Sequence, residues 1–65
     1  MAIMFDFDPE KIRRLRTERA WTQEKLAEVA GLSVRTVQRL EKGICGSFAT
    51  LQAVAQAMGV GVGTL

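Results

Sequence analysis

The sequence predicts an all-α domain, a compact bundle of four or five short helices, and three observations carry that expectation. Apolar residues recur at helical spacing rather than alternating, as in Phe48, Leu51, Val54, Ala55 and Met58. The dipeptides that open tight hairpins, Asn-Gly and Asp-Gly, do not occur. Asp8, Thr22, Ser33 and Ser47, all suited to N-caps, each precede a periodic run, and glycine follows three of those runs.

The first helix starts after Asp8, with Pro9 at the first helical position and Glu10 favourable to the helix dipole, and runs to about Arg19. Its inward stripe is Ile12, Leu15 and the stems of Arg16 and Arg19. Thr22 caps the second helix, which turns Leu26, Ala27 and Ala30 inward and stops at Gly31. Only Gly31, Leu32 and Ser33 separate it from the third, so the chain must turn sharply. The third helix runs from Val34 to Lys42, with Gly43 as a left-handed stop, and Ile44, Cys45 and Gly46 form a loop. Ser47 caps the fourth helix, Phe48 to Met58, which ends at Gly59. Val60, Val62 and Leu65 then sit on a glycine-loosened tail with no evident place in so small a core, which implies a partner for them. The organisation read from this pattern is an N-terminal arm (1–9), a domain (10–62) and a short tail (63–65).

Composition narrows the function classes. Sixty-five residues, 48% hydrophobic, hold one small core and no apolar run long enough to span a bilayer. A core of that size yields only a few kcal/mol, which favours a surface-binding module over a carved active site. No histidine and a single cysteine leave no zinc site, disulfide framework or Cys-His nucleophile. No catalytic residue, metal, cofactor or small-molecule ligand is expected, and Cys45 is read as an incidental loop thiol. The opening MAIMFDFDPE has acids where a secretory leader needs bases, which predicts a cytoplasmic protein. Charge is segregated: residues 1–10 carry a net −3, residues 11–42 a net +5 with all nine bases, and residues 43–65 none. A basic middle beside an uncharged end suggests a polyanion-facing surface next to an association surface, with a solvated helix face as the plain alternative.

The third helix sharpens this. At about 100° per residue, Arg35 and Arg39 lie within about 40° of each other, Gln38 and Lys42 flank them, and Val37 and Leu40 lie opposite. Long donors on one face and aliphatics on the other suit a helix that enters the DNA major groove. Arg35 and Arg39 are the first candidates for base contact through the planar guanidinium fork, with phosphate contact the open alternative for either. Val34 and Thr36 border the face near the helix start, where either could touch a thymine methyl, and Val34 could equally be a half-buried staple. Gln38 is assigned to phosphate. Glu41 falls toward the inner side of the helix and needs a partner there.

Over residues 22 to 43, TQEKLAEVAGLSVRTVQRLEKG resembles the helix-turn-helix domains of phage repressors and Cro-type regulators. The matching features are Gln23 opening the second helix, Leu26-Ala27, Gly31 in the turn, the Ser33 cap, Val37 and Leu40 inward, and Glu41 before Gly43. IRRLRTERAW upstream and FATLQAVAQAMGV downstream extend the likeness to residues 10–62. The resemblance implies a lambda-repressor-like fold and a bacterial or phage repressor that binds double-stranded DNA; the tail aliphatics Val60, Val62 and Leu65 suggest a homodimer on DNA, or else the start of a fifth helix in a monomer. By resemblance Gln23 bonds the DNA backbone, its own chemistry also allowing a capping role beside Thr22, and Lys42 with the Gly43 N–H flanks a neighbouring phosphate. Arg16 takes the place of the arginine that pairs with Glu41. Such domains usually continue into a fifth helix, which this sequence does not spell out. Trp21 is read as packing between the first two helices, and Arg13, Arg14 and Lys25 as general surface charge. The rival reading is a protein-interaction module that keeps the fold without recognising an operator.

Overall fold

The computed structural model describes residues 7–44 and 47–65, so Cys45, Gly46 and residues 1–6 of the expected arm lie outside the described residues. Among the described residues, four helices follow one another: α1 (Pro9–Glu18), α2 (Gln23–Ala30), α3 (Val34–Glu41) and α4 (Phe48–Met58), with one 3-10 turn, Val62–Thr64, after them. Among the described residues there is no strand, and no helix is long and apolar enough to cross a membrane.

Each helix begins where a short polar side chain satisfies an otherwise orphaned N–H. Asp8 accepts from Glu10 N at 3.0 Å, Thr22 from Lys25 N at 3.0 Å, Ser33 from Thr36 N at 3.1 Å and Ser47 from Thr50 N at 3.3 Å. Gly31 closes α2 in the left-handed region at φ 72°, which is what lets the chain reverse within three residues into α3. The third helix ends one residue earlier than its spacing predicts. Lys42 serves as its C-cap, and Gly43 follows at φ 75°.

Four fully buried aliphatics from four helices, Ile12, Leu26, Leu40 and Val54, meet in the core with Val37 beside Leu40. Ala27, Leu51, Ala55 and Met58 complete the buried set. α2 packs against both α3 and α4, and α1 against α3, which holds α3 by its inner face and leaves its other face outside. Trp21 and Leu15 are half-buried against this core.

Two expectations are corrected. Phe48 was placed on the inward stripe of α4 but is 45% exposed. It is the first residue of the helix, one turn beyond Leu51, where coverage by the core begins. Val60, Val62 and Leu65 were expected to lack a place inside, yet all three pack on the core. After Gly59 the chain folds back, a 3-10 turn closes with Leu65 N donating to the Val62 carbonyl at 3.2 Å, and Asp8 N donates to the Leu65 carbonyl at 3.1 Å. Asp8 and Leu65 thus meet beside the first turn of α1, and these aliphatics do not call for a partner.

Among the described residues, one non-glycine residue is under backbone strain. Ala20, just past the C-cap of α1, has φ 57°, a conformation that costs a non-glycine residue about 1–2 kcal/mol. Ala20 is exposed and its Cβ contributes nothing to the core. Ala20→Gly should therefore raise stability by about 0.5–1 kcal/mol, the relief being partly offset by greater chain freedom when unfolded. A lower denaturation midpoint for the variant would contradict this.

Candidate nucleic-acid interface

The third helix carries a divided surface. Val37, Leu40 and Glu41 are buried, whereas Arg35, Gln38, Arg39 and Lys42 are exposed. Val34 and Thr36 are half-buried at its start. The Thr36 hydroxyl lies 2.8 Å from that of Ser33, so its hydrogen-bonding capacity is partly taken up by the cap, while Val34 packs against the core edge.

Five of the six arginines separate into two groups, Arg14 standing apart as an exposed side chain on α1. Arg13, Arg16 and Arg19 are committed to the fold. Arg16 Nε donates to Glu41 Oε2 at 2.6 Å, its Nη2 to Glu41 Oε1 at 3.0 Å and its Nη1 to the Trp21 carbonyl at 2.8 Å. Arg19 donates to the carbonyls of Leu15 and Met58, tying α1 to the end of α4. Arg13 bridges Glu10 Oε1 at 2.6 Å and the Glu41 carbonyl at 3.1 Å. By contrast, the side chains of Arg35, Gln38, Arg39 and Lys42 make no hydrogen bond or ion pair among the described residues. Donors that a protein leaves unspent on an exposed face stay available to an external acceptor.

Glu41 is the buried centre around which this surface is seated. It is 4% exposed and belongs to the last turn of α3, yet its carboxylate takes donors from α1 and from α2. The α2 donor is Gln23, whose Nε2 lies 3.2 Å from Glu41 Oε1. Sequence reasoning placed Gln23 against a DNA phosphate or as a cap beside Thr22 and missed this bond. Arg13 was likewise read as general surface charge, although its position one turn before Arg16 on α1 was a usable signal. Its Nε stands 3.7 Å from Glu41 Oε1. Lys25 pairs with Glu28 at 3.4 Å on the exposed face of α2.

Gly43 departs from expectation in one respect. Its N–H, expected to face a phosphate, donates to the Leu40 carbonyl at 3.0 Å as part of the helix end. Its conformation and surroundings give it another reason to be glycine: a Cβ there would lie 3.1 Å from Pro9 Cγ, so it permits the close approach of α1 to the end of α3.

A three-residue turn between α2 and α3, a buried seat for the second of these helices and an unspent basic face upon it are the parts of a helix-turn-helix. Comparison with protein families agrees: the helix-turn-helix model matches residues 12–65, which takes in all but the first turn of the folded region. No curated protein matches the chain closely enough to count as a relative. The family is one of DNA-binding regulators and is not typically enzymatic. The chain belongs to the Cro/C1-type helix-turn-helix family.

Proposed function

We propose that this protein binds double-stranded DNA sequence-specifically and acts as a transcriptional repressor, with α3 as the recognition helix in the major groove. The observation that carries the proposal is the exposed face of α3, where Arg35, Gln38, Arg39 and Lys42 are unpaired while the other face is locked into the core. Arg35 and Arg39 read bases through their planar forks, and Val34 and Thr36 supply apolar contact near the helix start. Gln23, Gln38 and Lys42 contact phosphates and fix the register. Gly43 enters as the turn that brings Lys42 to the surface rather than as a donor, since its N–H is already used. Repression requires only that the domain occupy its site.

The protein binds as a homodimer, two recognition helices spaced about 34–36 Å apart to meet successive major grooves. Val60, Val62 and Leu65 pack on the core and offer no partner surface. Support comes from Ile44, 59% exposed, within the stretch 43–65 that carries no charge. Selection of bound duplexes from a random pool tests both parts. Two related half-sites with centres about one helical turn apart are expected, with two proteins per selected duplex in sedimentation. Recovery of no shared sequence would refute specific recognition, and one protein per duplex at every half-site spacing would refute the dimer.

A further inference from the structure

Gln23 and Glu41 belong to different helices, and the bond between them links two parts of the proposed interface that the family likeness treats separately. Gln23 opens α2 and is assigned to a phosphate. Glu41 closes α3, the reading helix. The Gln23 amide nitrogen has two hydrogens, and the bond to Glu41 Oε1 uses one. The second hydrogen and the amide oxygen remain for other partners. A glutamine at an exposed helix start otherwise samples many rotamers, and ordering it on binding lowers affinity. Here the order exists before DNA arrives. The anchoring carboxylate is itself held by two bonds from Arg16, whose positive charge offsets the negative charge that would otherwise repel a phosphate.

We propose that Glu41 is a positioning residue for DNA binding: its carboxylate, fixed by Arg16, holds the Gln23 amide in the orientation from which the second Nε2 hydrogen meets a backbone phosphate. Because Glu41 lies on α3, the same contact sets the position of that phosphate relative to the reading helix. This inference rests on the DNA-binding reading above and extends it to a buried side chain that touches no DNA.

A double-mutant cycle on DNA affinity tests it, using Gln23→Ala and Glu41→Gln at a temperature where circular dichroism shows every variant folded. Gln23→Ala is expected to weaken binding about threefold to tenfold, the scale of one ordered polar contact. Glu41→Gln should produce part of that loss, and the double variant should bind no worse than Gln23→Ala. Lys42→Ala is the control, and its loss should multiply with that of Glu41→Gln. Losses from Gln23→Ala and Glu41→Gln that multiply in a protein still binding DNA would overturn the positioning role alone. Wild-type protein that binds no duplex at any salt concentration would overturn the DNA reading and this proposal with it. If Glu41→Gln does not fold, the wild type decides through its 15N-labelled Gln23 side-chain amide. Slowed hydrogen exchange and a cross-peak to the Arg16 Nη2 hydrogens, which share Glu41 Oε1 with Gln23, both retained with duplex, are expected. A freely averaging amide would refute the proposal.

Discussion

Arg16→Ala is expected to cost about 3–5 kcal/mol of folding stability, enough to consume much of the roughly 3–10 kcal/mol that a 65-residue domain has. The magnitude follows from what is left behind. Without Arg16, the Glu41 carboxylate loses both of its short bonds while staying almost fully buried, and only Gln23 Nε2 and the more distant Arg13 Nε remain. The reverse deletion is milder. In Glu41→Ala the Arg16 guanidinium keeps the Trp21 carbonyl, and its side chain, 13% exposed, can shift toward water. Arg16→Ala should therefore have the lower urea midpoint of the two. The double variant should lose less than the two single losses together, because the second substitution removes the charge orphaned by the first. Strict additivity would mean that the pair contributes no more than an exposed contact, and equal midpoints for the single variants would refute the asymmetry between them.

Local chemistry made most of the scaffold legible. The four caps act within three residues of themselves, so Asp8, Thr22, Ser33 and Ser47 announce their helices without reference to the rest of the chain. Helical periodicity likewise placed Ile12, Leu26, Val37, Leu40 and Val54 in the core. Relations between helices were less visible. That Glu41 needs an inner partner followed from its place on the helical wheel, but its bond to Gln23 depends on how closely α2 approaches the end of α3, which no spacing encodes. The return of Val62 and Leu65 onto the core required a turn after Gly59 and a carbonyl that Asp8 could reach, again a long-range condition. The exposed face of α3 was legible for the opposite reason: side chains that make no hydrogen bond or ion pair among the described residues are placed by the wheel alone.

Arg35→Ala and Arg39→Ala should each weaken binding to the selected duplex by about 1–3 kcal/mol and relax the preference at one base position. Both side chains are exposed and unpaired among the described residues, so neither variant should change thermal stability by more than about 0.5 kcal/mol. Loss of affinity is then a statement about DNA and not about folding. Gln23→Ala and Lys42→Ala should instead weaken all sequences alike, and Lys42→Ala should also reduce the slope of log affinity against log salt by about 1 for each bound subunit. Substituting lysine separates charge from shape. Arg39→Lys keeps the cation, and with it the attraction to non-specific duplex, but gives up the planar fork that bonds guanine O6 and N7 together. Its affinity for random-sequence DNA should stay near wild type while its preference for the selected site falls. If both alanine variants bind the selected duplex as the wild type does, α3 does not read bases through these arginines; if Arg39→Lys retains full preference, Arg39 acts as a phosphate-binding point charge instead.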